Sequence, residues 1–115
     1  MTTIFARVAT ALGNLSPAVA YAQAPYLSAN GSLPDVYLAY QLIASPPEQH
    51  ADDAETLRSY LMQISLFSRS GLETLPAAVD AVMLAAGFQK SNFRSLQRDS
   101  ETGHFGLAKD YRYLE

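Results

Sequence analysis

The segment 58–68 constrains the fold most, because its side chains alternate with a period of two along its whole length. One set of alternate positions is strongly apolar: Tyr60, Met62, Ile64 and Leu66. The other set is mixed: Ser59, Leu61, Gln63, Ser65 and Phe67. This period is typical of a β-strand that buries one face. The run 36–43 carries no charge on either face, which predicts a central strand or one covered on both sides.

Two segments have the apolar spacing of helices. The first begins near Ile4, where Thr2 or Thr3 can act as the N-cap. The second follows Thr74 and closes on Gly87, which we expect in the left-handed conformation that ends many helices. Both helices are expected to lie on a sheet.

The chain between the first helix and the run 36–43 predicts a short strand at 18–23, limited by Pro25 and therefore at a sheet edge. Asn30-Gly31 is a hairpin signal. Residues 45–55 contain two prolines and several acids. We expect them to form a solvent-exposed loop.

The last third predicts a hairpin with strands at 93–98 and near 105–113, joined by a turn at 101–103 in which Gly103 needs a positive φ. The element order is then α-β-β-β-α-β-β. It predicts one α+β domain over residues 1–115: a four- to five-stranded, mostly antiparallel sheet with two helices packed on one face.

Composition narrows the classes of function. The chain of 115 residues has a net charge of −3 and no cysteine, so disulfides, thiolate metal sites and cysteine nucleophiles are excluded. Up to Leu57 one basic residue stands against five acidic ones, and from Arg58 seven basic stand against six acidic. No basic patch of the kind that grips nucleic acid is visible. Without a signal peptide or a membrane-length apolar run, we expect a soluble protein made in the cytoplasm.

One cluster in the sequence has the residue types of a metal site: His50, Asp52, Asp53 and Glu55. Oxygen ligands at this density can hold a hard cation, but the fixed alternation and the glycine of a calcium loop are missing. A solvated acidic loop is therefore the preferred interpretation, and no metal or cofactor is expected.

His104 beside the Gly103 turn has the chemistry of a general base, with Asp99 or Glu101 as a partner across the hairpin. No nucleophile or oxyanion site accompanies it, and the chain lacks nucleophile-elbow and phosphate-loop motifs. Asp35 and Glu73 are isolated acids. We therefore expect His104 to be a surface turn residue and the protein not to be an enzyme.

The apolar strand faces allow either core or interface. We assign to the core Leu38, Tyr40, Met62, Ile64 and Leu107. Tyr37, Ile43 and Phe67 stay open between core and a subunit interface, since a small sheet with excess apolar surface can serve both.

Several short motifs from 33 to 114 resemble one family. They are LPDVYLAYQLI at 33–43, the prolines at 46–47 followed by HADD at 50–53, the helix end Ala86-Gly87-Phe88, and ETGHFGLAKDYRY at 101–113. Together they resemble the small tail terminator (tail completion) proteins of long-tailed bacteriophages. Where those proteins have Tyr then His near the C-terminus, this chain has His104-Phe105-Gly106. The N-terminal third lies outside the resemblance.

The resemblance implies a structural virion protein of the tail neck, assembled in the host cytoplasm. Such proteins form a homohexameric ring on the head-proximal end of the tail tube, stop its polymerisation and join it to the head. The implied partners are further copies of the chain, the major tail tube protein and a head completion or neck protein. DNA passes through the pore without specific binding.

Candidate interface or pore-facing residues follow from the loops and apolar faces: Asn30, Gly31, Tyr37, His50, Asp52, Asp53, Glu55, Phe67, Glu101 and His104. Two alternatives remain. One is another neck protein, such as a head–tail adaptor or minor capsid protein. The other is a small ligand-binding or enzymatic α+β domain.

Overall fold

The computed structural model describes residues 3–15, 19–23, 34–44, 47–51, 54–100 and 102–114. In chain order its elements are α1 (Ile4–Leu12), β1 (Ala20–Gln23), β2 (Val36–Ala44), β3 (Pro47–Ala51), β4 (Ala54–Ser68), α2 (Leu75–Ala85), β5 (Gln89–Leu96) and β6 (Phe105–Leu114). This is the α+β class that the sequence predicts.

The main sheet has the strand order β1-β2-β4-β6-β5, with β1 and β5 at its edges. All neighbours are antiparallel except β1 and β2, which are parallel. Parallel neighbours need a crossover, so the hairpin predicted from Asn30-Gly31 is wrong. Residues 30 and 31 lie outside the described ranges.

The core lies between the helices and the face of β4 that the period of two predicted. Met62, Ile64 and Leu66 on this face are fully buried. They share one apolar cluster with buried residues from both helices: Ile4, Val8, Ala11 and Leu12 of α1, and Val79 and Met83 of α2. Burying each large side chain contributes about 1.5–3 kcal/mol, which explains why this face holds the helices. Of the residues assigned to the core, Tyr40 and Leu107 are only partly buried.

The helix ends lie at the predicted caps, but Thr74 at the start of α2 makes no side-chain capping hydrogen bond. The Thr3 hydroxyl accepts a hydrogen bond from the Ala6 amide at 3.1 Å. After α2, Gly87 has a φ of 95°, and the Phe88 amide bonds back to the Met83 carbonyl at 3.0 Å. Phe88 is buried against the core, so the left-handed glycine turns the chain directly from the helix into β5.

The expected loop at 45–55 is wrong, because β4 starts at Ala54 and pairs with the additional strand β3. Residues 61–68 of β4 lie between β2 and β6, and residues 59 and 60 pair with β6. Residues 54–58 pair with β3 alone within the described chain. A strand of this length spans about 50 Å, in keeping with a longest molecular dimension of 52 Å. We call residues 47–51 and 54–58 the arm, and the rest of the described chain the body.

The C-terminal hairpin is longer than predicted. β5 begins at Gln89, directly after the α2 cap, and its pairing with β6 is interrupted by a bulge between Lys90 and Phe93. Residues 97–104 connect the two strands, not a three-residue turn. Gly103 has the predicted positive φ, at 80°.

Candidate functional site

Three of the residues singled out in the sequence lie together at one end of the sheet. Tyr37 on β2 and Phe67 on β4 are cross-strand partners, and their rings stack with centroids 4.8 Å apart. The His104 ring meets Tyr37 edge-on at 5.0 Å. Tyr37 is 8% exposed and Phe67 is half-buried, whereas Ile43, left open with them, is 47% exposed.

His104 is 1% exposed, so the expectation of a surface histidine is wrong. Its Nε2 lies 2.8 Å from the Pro34 carbonyl oxygen. A carbonyl only accepts hydrogen bonds, so Nε2 carries the proton. Nδ1 is buried and has no hydrogen-bond partner within the described chain. The Asp99 amide donates a hydrogen bond to the His104 carbonyl at 2.9 Å, and Glu101 lies outside the described residues.

Arg69 contacts two other segments at this end of the sheet. Its guanidinium donates to Asp35 at 2.5 Å and to the Thr102 carbonyl at 2.8 Å. The ion pair is largely exposed and contributes little energy by itself. Its contacts nevertheless join the start of β2, the end of β4 and the β5–β6 connection. We call Asp35, Tyr37, Phe67, Arg69 and His104 the end cluster. Its contacts hold these segments together, which is a structural role.

A second polar cluster lies between α2 and the sheet. The Asp80 carboxylate is 2.7 Å from Lys109 Nζ and 3.8 Å from Lys90 Nζ, and it accepts a 2.5 Å hydrogen bond from the Tyr111 hydroxyl. The sequence analysis missed this cluster. A signal was present, since Asp80 is the single charge in α2 and Lys109 alternates in phase with Leu107 and Tyr111.

The ionisation of this cluster is fixed by its contacts. Burial alone would raise the pKa of Asp80, but hydrogen bonds from Lys109 and Tyr111 and the charges of both lysines outweigh it, so the pKa is lowered. Burial, together with the bond to Asp80, raises the pKa of the Tyr111 hydroxyl above its ordinary value. A carboxylate held ionised by a lysine and a phenol is a poor proton acceptor. The cluster therefore anchors α2 to the sheet.

Two of the four residues that resembled a metal site in the sequence belong to the arm. His50 on β3 and Glu55 on β4 are register partners. Asp52 and Asp53, between the two arm strands, lie outside the described residues, as do Asn30 and Gly31. Within the described ranges no three histidine, aspartate or glutamate residues are grouped to hold a metal ion.

The β5 edge of the sheet is basic and accessible to solvent. From Gln89 to Ser95 every residue of β5 is exposed, including Phe93 at 68%. Residues 81–98 contain Lys90, Arg94 and Arg98 and no acid. We call these three residues with Phe93 the basic edge. A cleft of about 290 Å³ beside the β5 bulge is lined by Lys90, Ser91, Asn92, Phe93, Lys109 and Asp110.

No protein-family model matches the chain, and no curated protein matches it significantly. Neither helix of the described chain is long and apolar enough to cross a membrane.

Proposed function

We propose that the chain is a tail terminator subunit, which forms a ring on the head-proximal end of a phage tail tube, stops tube growth and joins the tail to the head. The observation that carries the proposal is the presence of two dissimilar surfaces on one small subunit. The arm lies in an acidic stretch, and the β5 edge is basic. A ring built from head-to-tail contacts needs two different, complementary surfaces on each subunit.

The resemblance of residues 33–114 to tail terminators supports this proposal, as does the one-sided helix layer that leaves a long strand free to extend. The two arm strands pair with each other, and β4 continues from the arm into the body. A segment that extends from the body in this way suits contact with another protein.

The negative charge of residues 47–57 supports a pore through which DNA passes without being bound. Residues 47–57 contain four acids and no lysine or arginine. In this proposal the segment 48–55 faces the pore or the tube, where its charges repel the phosphate backbone. Replacing both acids between the arm strands, by Asp52→Lys with Asp53→Lys, is expected to impair tail joining or DNA passage. Normal infectivity of that double variant would remove the pore-facing role.

The function itself is tested by removing the coding sequence from the phage that carries it and imaging the lysate. Loss of the terminator should give tails of excess and variable length beside separate, filled heads. Supplying the protein in trans should restore joined particles of uniform tail length. Normal virions without the protein would refute the proposal.

A further inference from the structure

We propose that the arm of one copy docks on the basic edge of a second copy, adding a strand to its sheet next to β5. This inference rests on the proposed ring and names the contact that closes it. It begins from two strands whose outer edges have no partner among the described strands: β3 in the arm and β5 in the body.

The arm is a two-stranded ribbon whose strands pair only with each other within the described chain. An isolated pair of strands is marginal in water, because it buries little apolar surface. Its pairing is also irregular, with register shifts on both sides of Gln49. Such a ribbon gains most from a surface that supplies further backbone hydrogen bonds.

β5 supplies that surface. Its accessible side offers Phe93 as an apolar anchor, and beyond the bulge the residues from Phe93 to Leu96 keep regular pairing with β6. An extended segment can therefore pair with a short regular stretch of backbone. The cleft beside the bulge is open to a side chain of the incoming strand.

Charge favours the arm as the segment that pairs with the basic edge. The arm carries Glu48 and Glu55 on its two strands, with Arg58 at its end next to the body. The basic edge carries Arg94 and Arg98, together with Lys90, which lies 3.8 Å from Asp80. Pairing two β5 edges with each other would bring like charges together, which disfavours a symmetric edge-to-edge dimer. An acidic arm meeting the basic edge gains the opposite sign. The contact is heterologous, so it propagates head to tail.

The test is sedimentation of purified variants at low salt. Arg94→Glu reverses the charge of an exposed side chain, and Glu48→Arg with Glu55→Arg reverses two charges of the arm. Each variant alone should self-associate at least tenfold more weakly than the unaltered protein, as expected for a lost pairing of charges. An equimolar mixture of the two should associate more strongly than either variant alone, because the acidic arm of one variant then meets the unaltered basic edge of the other.

Matched controls are Glu73→Arg and Arg112→Glu, which reverse exposed charges outside the arm and the basic edge and should leave association unchanged. Thermal unfolding checks that each variant is folded, and Arg94→Gln replaces Arg94→Glu if it is not. Raising salt should weaken association of the unaltered protein.

Three results would overturn the inference: a monomer at all concentrations up to about 1 mM, charge-reversed variants that associate normally, or a mixture that does not recover. The second and third leave the tail terminator proposal standing with another interface. Conversely, normal tails in the gene-deleted phage would refute that proposal even if arm and edge pair in solution.

Discussion

One strand, β4, is used in two different ways. Its residues 61–68 are paired on both sides and bury Met62, Ile64 and Leu66 under two helices. Its residues 54–58 have one partner strand and belong to the arm. The comparison teaches that one strand can hold the main sheet together at one end and, at the other, pair with β3 alone within the described chain.

Proline substitution is expected to give the largest difference in stability between the two parts of β4. Ser65 lies between Ala39 and Ala108 in the ladder, so its amide hydrogen bonds to one of these neighbouring strands. Ser65→Pro removes that bond inside a central strand and should cost more than about 3 kcal/mol. Urea unfolding followed by circular dichroism measures the loss. A cost below about 1 kcal/mol would mean that the body does not depend on this ladder.

The next prediction concerns the anchor of α2. Asp80→Asn removes the negative charge that Lys109, only 12% exposed, is paired with, and should cost about 2 kcal/mol at neutral pH. The pKa of Asp80 is lowered in the folded protein, so its contribution is present above the unfolded value of about 4 and is lost as pH falls below it.

The unfolding free energy, measured from pH 7 down to pH 2, should therefore fall less steeply in Asp80→Asn than in the unaltered chain. Asp35→Asn, which alters a largely exposed ion pair, is the control and should change stability little. Parallel curves for Asp80→Asn and the unaltered chain would contradict the ionised cluster.

Gly87→Ala tests the cap that leads from α2 into β5. At a φ of 95° a side chain is strained, and the added Cβ would lie 3.3 Å from the Tyr113 ring. We expect a loss of about 1–2 kcal/mol, read from the midpoint of urea unfolding. An unchanged midpoint would show that the backbone here tolerates another conformation.

The smallest effect on stability is expected in the arm. Thr56→Pro places a proline at the register shift of the arm, and it should cost less than about 1 kcal/mol because residue 56 lies outside the paired body. The same variant should weaken self-association, measured by sedimentation. A stability loss equal to that of Ser65→Pro would erase the distinction between arm and body.

The local patterns of the body were readable from the sequence. The period of two placed Met62, Ile64 and Leu66 on the buried face, and the threonine and glycine signals placed the helix ends. These features depend on residues near one another in the chain. The α+β class followed from their order.

The features that sequence missed depend on distant contacts. His104 is buried because Pro34 and Tyr37, far away in the chain, reach its ring. β3 contains Pro, Glu, Gln and His, which are poor strand formers, and it exists as a strand because β4 continues past the sheet to pair with it. The Asn30-Gly31 signal is local, and the parallel pairing of β1 with β2 overrides it. The roles of Asp52, Asp53 and Glu101 remain predictions.

The central claim, that this chain is a ring subunit, is tested most directly by the mass of the purified protein. Light scattering over a concentration series, with micrographs of any large species, measures it. The account predicts a hexameric ring with a central hole. A twelve-fold ring would indicate a neck adaptor instead, and a monomer at every concentration that shifts its melting temperature with a metal or metabolite would contradict the account and favour a ligand-binding domain.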